Sequence, residues 1–439
     1  MLRYLLVILA AALLLCGCGG EEDAAVSALA EPLYPKQAPY PVESEFIDDK
    51  GNFDSDGFSA VYDAWRQDQQ DRGSADSAAL SAFTATTVPE LLQGEGNRLC
   101  SPMNIYLALG MLAEVTGGES REEILLVLQQ PNMEALRADA DALWAAHYRD
   151  DGAAASRLAA SLWLRRDMDY QEETLQQLSE TYRASAFSGV MGAAETDEAL
   201  QRWINENTGN LLTEQAAGIK LDKDTILALA TTIYYNARWS QTFNTAATEP
   251  GLFHAAAGSV DCDFMKRSAP MTYYWARNFS SVSLGLEEGR MELILPDEGV
   301  TPGQLMEDEE FWAFSLRQED WAQQKFLTVD LALPRFDVAA DLDLGQSLRT
   351  LGIRAVFDPQ HADFSPLSDT AAFLSQVRHA ARVKADEEGV EAAAYTVMMA
   401  AGASMPPEER VDFTLDRPFI FLLKGNDGAP LFVGVVETP

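Results

Sequence analysis

The chain has 439 residues, of which 47% are hydrophobic and 9% aromatic. This length and composition are those of a globular protein with a full core, and they exclude wholesale disorder. The 68 acidic and 32 basic residues give a net charge of -36. Such a charge repels nucleic acid, anionic lipid and polyanions such as heparin, so we expect no nucleic-acid partner.

Residues 1–18 resemble an export signal. Arg3 supplies a short positive region, and the apolar run from Tyr4 to Leu15 is shorter than the roughly 20 residues that span a bilayer. Gly17 before Cys18 resembles the site at which a bacterial lipoprotein is cleaved and acylated. We therefore predict a lipidated Cys18 that anchors the chain in a lipid bilayer, at the extracellular face of a bacterial cell membrane, either retained there or released. A plain secretory signal is the alternative.

Residues 19–75 are predicted to be a tether that ends in one helix. The stretch from Gly19 to Asp56 is acidic, contains four prolines and has few apolar residues, so it has too little apolar surface to fold alone. The helix is predicted over Phe58 to Gln70. Beyond the signal, only Cys100 and Cys262 remain, and the sequence leaves open whether they pair.

The body of the chain is predicted to be α+β, with helices first and most strands in the C-terminal half. Apolar residues at helical spacing predict helices, among others, over Ser77–Gln93, Asn104–Thr116 and from Asp197. From about Thr225, β-rich runs follow, and the last two flank "KGNDGA", a good hairpin sequence. No repeat of 20 to 50 residues is present, which excludes a solenoid.

The sequence contains no motif that indicates an enzyme. None of the four histidines has a second His or Cys at metal-binding spacing, and there is no nucleophile elbow, phosphate loop or dinucleotide fingerprint. We therefore predict that the protein is not an enzyme and needs no metal or cofactor.

Several separated blocks resemble the serpins. They occur in the family's order and spacing, and together they cover roughly Ser77 to Pro439. The blocks are "NRLCSPMNIYLALGMLAEVTGGESREEILLVL", "INENTGNLL", "TTIYYNARWSQTF", "LALPRFDV", "DLGQSLRTLGIRAVFDPQHADFSPLS", "VRHAARVKADEEGVEAAAYT" and "DRPFIFLL" with "GAPLFVGVVETP". The resemblance implies a single domain over residues 76–439, with three β-sheets, eight or nine helices and an exposed reactive-centre loop at about residues 387–410.

In this family, a serine protease attacks the loop and forms an acyl-enzyme. The cut loop then inserts into the largest sheet as a new strand, which traps the protease. The resemblance assigns the hinge and the inserting strand to a run of ten residues. These are Glu387, Glu388, Gly389, Val390, Glu391, Ala392, Ala393, Ala394, Tyr395 and Thr396.

The residues of this run independently suit insertion. Alternate side chains of a strand point to opposite faces, and the face that starts at Val390 carries no charge as far as Gly402. Glu391 lies on the other face, and Gly389 can act as a hinge because glycine tolerates a wide range of φ and ψ. An alanine-rich helix is the alternative.

Two positions depart from the family pattern. Val390 stands where inhibitory members mostly have Thr or Ser, but it is uncharged and should still insert. In the cluster where the sheet opens, the resemblance points to Ser101, Asn104, Thr231 and His379. Here an amide and a hydroxyl stand exchanged between Asn104 and Thr231, and we hypothesise that both remain available to His379. Unrelated drift is the alternative.

The family's residue count from Glu387 places the reactive bond between Ala403 and Ser404. A shift to Met399, Ser404 or Met405 is open, because the following segment is about one residue longer than is usual. A small residue here suits elastase-like or subtilisin-like proteases. The sequence therefore predicts a monomeric, surface-anchored suicide inhibitor of a secreted serine protease. The alternative is a non-inhibitory binding or structural protein with the same fold.

Overall fold

The computed structural model describes residues 26–75, 77–152, 154–316, 321–390 and 407–439. These residues form eleven α-helices and seventeen β-strands. The helices are α1 (Ser55–Asp71), α2 (Ala78–Leu91), α3 (Pro102–Glu114), α4 (Gly118–Val127), α5 (Met133–His147), α6 (Glu172–Thr181), α7 (Ala194–Asn207), α8 (Thr213–Ala217), α9 (Pro302–Met306), α10 (Glu309–Leu316) and α11 (Gly345–Leu351). The strands are β1 (Val26–Ala30), β2 (Arg98–Cys100), β3 (Arg149–Asp150), β4 (Ala155–Arg165), β5 (Ala184–Gly189), β6 (Leu227–Arg238), β7 (Glu249–Ala255), β8 (Gly258–Trp275), β9 (Phe279–Gly285), β10 (Arg290–Pro296), β11 (Gln324–Pro334), β12 (Phe336–Asp343), β13 (Val377–Ala385), β14 (Gly389–Val390), β15 (Arg410–Thr414), β16 (Phe419–Lys424) and β17 (Pro430–Val436).

The strands form two hydrogen-bonded sheets. The main sheet has the order β1-β5-β4-β6-β14-β13-β12, with β3 paired to β4. The second sheet has the order β15-β11-β8-β9-β10-β16-β17-β2, with β7 paired to β8. We call the end of the main sheet at Arg238 of β6 its upper end, and the end at Leu227 its lower end.

The α+β class is confirmed, but the counts differ from the expected three sheets and eight or nine helices. The 18-residue strand β8 pairs with β7, β9 and β11, and in this way joins into one network strands that would otherwise form separate sheets. The additional helices include α1, which precedes the region of family resemblance, and two helices of five residues each.

Helix α3 lies inside the protein, where it contacts the main sheet through β6 and the second sheet through β17. All thirteen of its residues are buried, as its nearly uninterrupted apolar sequence requires. Ser101 caps the helix by accepting a hydrogen bond from the backbone N–H of Asn104, and Pro102 follows at the first helical position, where its missing N–H costs nothing. The sequence thus determines where this helix begins.

The predicted C-terminal hairpin is also confirmed. Every residue of β16 and β17 is buried, and the two strands pair in antiparallel register around a turn that contains Gly428 at a φ of 88°. The structure adds four strands of the main sheet, β1, β3, β4 and β5, in the half of the chain that was predicted to be mainly helical. Cys100 and Cys262 are both free, so they do not pair.

The structure differs from the expected tether, because residues 26–41 pack on the body as an N-terminal arm. Strand β1 pairs antiparallel with β5 and forms one edge of the main sheet. Immediately after β1, the backbone carbonyl of Glu31 accepts a hydrogen bond from Ser179 Oγ. Further along, the ring of Tyr34 stacks on that of Tyr148, with 4.8 Å between the ring centroids. An edge strand needs backbone partners rather than a hydrophobic sequence, which is why the composition of this segment did not predict its packing.

Helix α1 continues this contact through a buried carboxylate. Trp65 Nε1 donates to Asp151 Oδ2 at 2.8 Å, and Arg149 Nε donates to the same oxygen at 2.7 Å. The side chain of Asp151 is completely buried. Although α1 itself buries no residue, the region before the family-like domain is therefore joined to it by specific hydrogen bonds.

Candidate functional site

The hinge predicted at residues 387–390 lies at the upper end of the main sheet. After β13 the chain turns through Asp386 and Glu388 into β14, and Asp386 N–H donates to the carbonyl of Gly389 at 3.0 Å. Strand β14 lies between β6 and β13. Val390 is opposite Ala237 of β6 and Ala385 of β13. The hinge thus already occupies the first two residues of a strand position inside the sheet.

Val390 points toward the core, as the alternation of the sequence predicted for its face. It is 1% exposed and belongs to the same buried cluster as Ala237 and Ala385. The residues with even numbers that follow Val390 would share this face if the strand continued. Glu391 to Thr396, the reactive bond at Ala403 and Ser404, and Cys18 lie outside the described residues.

Gly389 is required by close packing. A Cβ at this position would lie 2.4 Å from the carbonyl oxygen of Ala237 and 2.7 Å from Cα of Arg238, both of which are backbone atoms of β6. Its φ is not in the positive region. In this conformation glycine is required by the close approach of the hinge to β6, and its predicted freedom to change φ and ψ during insertion stays a prediction.

The buried carboxylate of Glu387 forms an ion pair with Arg335, whose side chain is partly exposed. Glu387 is 5% exposed and accepts hydrogen bonds from Arg335 Nε at 2.9 Å and Thr248 Oγ1 at 2.6 Å. Burial alone would raise the pKa of this carboxyl, but the hydrogen bonds from Arg335 and Thr248 outweigh burial and hold the pKa below its ordinary value. The carboxylate is thus charged and paired at neutral pH.

Trp239 fixes the turn between β13 and β14. Its backbone N–H donates to the carbonyl of Glu388 at 3.0 Å, and its indole Nε1 donates to the carbonyl of Asp386 at 2.7 Å. Arg238 forms an ion pair with the side chain of Glu388 at 3.2 Å. The sequence did not predict Trp239, Arg335 or Thr248 as site residues, because the partners of their side chains lie 147, 52 and 139 positions away.

Below the hinge, β6 and β13 pair directly at one short segment. Their parallel register joins Val377 to Leu229, Arg378 to Ala230 and His379 to Thr231. One cavity lies against this segment beneath α7, and another faces α3. A strand that extended β14 downward would have to separate the two strands at this segment.

The structure brings the predicted sheet-opening cluster together. His379 and Thr231 are register partners, and His379 Nε2 accepts a hydrogen bond from the backbone N–H of Ser101 at 3.0 Å. Asn104 lies one turn further along α3, with its backbone N–H bonded to Ser101 Oγ at 3.2 Å. The four residues therefore connect β6, β13 and the start of α3.

Two polar atoms of this cluster lack a partner. Asn104 Nδ2 and His379 Nδ1 are buried, and neither has a hydrogen-bond partner among the described residues. Burial lowers the pKa of His379 to about 4, so the ring is neutral at physiological pH. His379 is thus bonded to the backbone of Ser101, and the hypothesis that the exchanged side chains of Asn104 and Thr231 serve it stays a prediction.

The chain returns from the loop on the other sheet. Strand β15 pairs in parallel with β11. Just before β15, the carbonyl of Glu409 accepts a hydrogen bond from the backbone N–H of Thr328 at 2.9 Å. Arg410 forms an ion pair with Asp330. The two described ends of the loop are thus attached to different sheets.

Other kinds of site are not seen in the described part of the chain. There, no group of three or more His, Cys, Asp or Glu residues is placed to hold a metal ion. Within the same ranges, no helix is both long enough and apolar enough to pass through a bilayer.

Comparison with known proteins agrees with this geometry. The family model described as Serpin (serine protease inhibitor) matches residues 78–439. The leukocyte elastase inhibitor of Sus scrofa is 28% identical over 363 residues, which cover 78% of this chain and 93% of that protein. The alpha-1-antiproteinase of Rattus norvegicus is 27% identical and covers 86% of this chain and 92% of its own length. Among solved structures, that of tengpin, a thermophilic serpin in its native state, has a TM-score of 0.74 and 22% identity over 82% of this chain and 93% of that one.

Proposed function

Because the chain belongs to the serpin family, whose members are mostly protease inhibitors rather than enzymes, we propose that it traps serine proteases as a suicide substrate. The observation that carries this proposal is the position of β14. Two loop residues already lie between β6 and β13, antiparallel to β6, with Val390 buried. The remaining loop would extend this strand if β6 and β13 separated below it.

The chemistry begins as ordinary proteolysis. The serine oxygen of the protease attacks the carbonyl carbon of Ala403, the bond to the nitrogen of Ser404 breaks, and the amine of Ser404 leaves with a proton. Ala403 is then an ester of the protease serine. Either water hydrolyses this ester, or the freed strand inserts first and distorts the protease. The partition between these two rates decides between substrate and inhibitor.

The register of β14 defines the inserted strand. If the pairing of Val390 with Ala237 continues, Ala394 comes opposite Ile233 and Thr396 opposite Thr231. Ile233 is buried, so Ala394 would enter the core. Thr396 would take the place that His379 now holds beside Thr231, so insertion has to break the segment at which β6 and β13 pair directly.

Two parts of the proposal rest on the sequence. Ala403 suits a protease with a shallow apolar pocket, of the elastase or subtilisin type, and one relative is named for inhibiting leukocyte elastase. Acylation of Cys18 would attach the inhibitor to a bilayer at the extracellular face of the cell.

The test is a pair of charge substitutions at adjacent loop residues. The wild-type protein should form a covalent complex with elastase that survives SDS, and its cleaved form should unfold at a much higher temperature. Ala394→Arg would bury an unpaired charge at a cost of several kcal/mol, so it should be cleaved without a complex. Ala393→Arg is the matched control, because it falls on the opposite face, opposite the half-buried Tyr234, and should retain the complex.

The outcomes distinguish an inhibitor from a non-inhibitory protein with the same fold. Cleavage of the wild-type protein with neither a complex nor a gain in thermal stability would favour a non-inhibitory binding or structural protein. Equal loss of the complex in both variants would show that the orientation taken from Val390 is wrong. Mass spectrometry of the released fragment would identify the bond.

A further inference from the structure

The chain leaves the main sheet for its N-terminus at the lower end, opposite the hinge. Val26, the first residue of β1, pairs with Gly189 of β5, and Gly189 is level with Arg165 of β4. Leu164 of β4 pairs with Leu227, the first residue of β6. Val26 is therefore level with the lower end of β6, whereas β14 pairs with Ala237 and Arg238 at the upper end.

An inserted loop would carry Ala403 to the same lower end. Continued from Val390 opposite Ala237, the register puts Ala400 opposite Leu227. Ala403 is three residues further on, about 10 Å beyond the end of β6 at 3.3 Å per residue. Three strands separate β1 from the inserted strand, which is about 19 Å across the sheet at 4.8 Å per spacing.

The number of residues between Cys18 and Val26 limits how far the predicted anchor can be from the lower end of the sheet. Cys18 precedes Val26 by eight residues, and a fully extended chain of that length spans at most about 29 Å. A serine protease of about 220 residues has a radius of gyration of about 17 Å and hence a diameter of about 44 Å. The segment from Cys18 to Val26, which we call the leash, would connect the lower end of the sheet to the membrane. The diameter of the protease exceeds the maximal length of this leash.

Resting on the proposed function and on acylation of Cys18, we infer that membrane attachment and strand insertion compete, because the trapped protease arrives at the pole where the inhibitor is anchored. Before the attack, the described hinge lies at the upper end of the sheet, opposite the end from which the chain leaves toward Cys18. During insertion, the protease has to enter the space between the lower end of the sheet and the bilayer. The molecule then has to lie on its β1 edge, or β1 has to detach from β5 and lengthen the leash.

Strand β1 is built in a way that permits detachment. It is an edge strand of five residues, and its register with β5 shifts between Ala28 and Ala30. If it separated as far as the hydrogen bond from Ser179 to the carbonyl of Glu31, five further residues would join the leash, which would then span at most about 47 Å from Cys18 to Glu31. That length is close to the diameter of the protease.

The test compares leash lengths on one membrane. The acylated full-length protein on phosphatidylcholine vesicles is titrated with elastase, and the number of inhibitor molecules consumed per trapped protease is measured. In a variant with 20 Gly and Ser residues inserted after Gly20, the fully extended length of the leash exceeds the diameter of the protease. Slower insertion with unchanged hydrolysis raises consumption, so we expect the native leash to consume about threefold more inhibitor than the long leash.

The same two proteins in detergent are the control, and there they should consume equal amounts. A second variant, Ala28→Pro, weakens the pairing of β1 and should reduce consumption on vesicles toward the long-leash value. Equal consumption by native and long leashes on vesicles would overturn the inference while leaving the inhibitor function intact. Failure of both to form a complex in detergent would instead overturn the proposed function.

Discussion

Acidification should destabilise the uncleaved protein through His379. This residue is 1% exposed, and its Nε2 accepts a hydrogen bond from the N–H of Ser101, so the neutral ring is the form that the native state holds. Burial lowers the pKa of the ring to about 4 in the folded protein, whereas the ordinary value is about 6.5. The unfolded chain therefore binds a proton at a higher pH than the native protein does. The stability contribution is complete above pH 6.5 and is lost as the pH falls toward 4.

These two pKa values determine the size of the effect. Linkage predicts that the free energy of unfolding falls by about 2 kcal/mol between pH 7.5 and pH 5, and by about 3 kcal/mol below pH 4. With an unfolding entropy of about 2.1 cal/mol/K per residue over a domain of about 360 residues, 2 kcal/mol lowers the unfolding temperature by about 3 °C.

The assay is thermal unfolding at pH 7.5 and pH 5.0, with His379→Gln as the test variant. Glutamine can still accept the hydrogen bond from Ser101 but does not titrate, so the variant should lose about 3 °C less than the wild-type protein on acidification. The difference between the two proteins cancels the effect of all other titrating groups.

His361→Gln is the matched control, because the pKa of His361 is shifted in the direction opposite to that of His379. His361 is exposed, and its hydrogen bond with Asp358 at 2.8 Å raises the pKa of the ring. Its contribution is present below its unfolded pKa and is lost as the pH rises through the folded one, so this variant should not resist acid better than wild type. If His379→Gln loses as much on acidification as wild type does, the buried neutral ring is not the group responsible, and the reasoning fails.

Three further variants test the arm and the hinge, each against a neighbour. Arg335→Ala should lower the free energy of unfolding by about 2 kcal/mol, because it leaves the buried carboxylate of Glu387 without its charged partner, whereas Asp263→Ala removes only an exposed partner of Arg335 and should cost less than about 0.5 kcal/mol in urea unfolding. Gly389→Ala should increase the inhibitor consumed per trapped protease, since its Cβ clashes with the backbone of β6, while Val390→Ala, which keeps a small apolar side chain at the buried neighbouring position, should change consumption less; a normal titration by Gly389→Ala would contradict the close approach. Tyr34→Ala should lower the urea midpoint by the equivalent of about 1 kcal/mol because it removes the stacking on Tyr148, and Leu33→Ala, at a 62% exposed position, should not; equal effects would mean that the arm is not docked in solution.

The local features of the fold follow from the sequence. Ser101 and Pro102 mark the start of α3 because a hydroxyl cap and a proline satisfy the first turn of any helix, wherever the helix then packs. The buried strands β16 and β17 were recognisable from their continuous apolar runs and the turn residues between them. The uncharged face that begins at Val390 was visible for the same reason, since alternation along a strand is a property of the chain itself.

Partners far apart in the chain were decided only by the tertiary structure. Arg335 precedes Glu387 by 52 residues, and nothing in either neighbourhood indicates that β13 turns back at the point where β11 meets β12. The reason that position 389 is glycine is likewise tertiary, because a Cβ there would clash with the carbonyl oxygen of Ala237 on a neighbouring strand. The packing of the N-terminal arm could not be predicted from its own sequence either. Its composition excludes a core of its own, but its edge strand takes its partners from a sheet built by residues more than 150 positions away. Propensity, capping and alternation act over a few residues and can be seen in the sequence. The registers that place β14 between β6 and β13 at the upper end, and pair those two strands directly below it, depend on the packing of the whole chain.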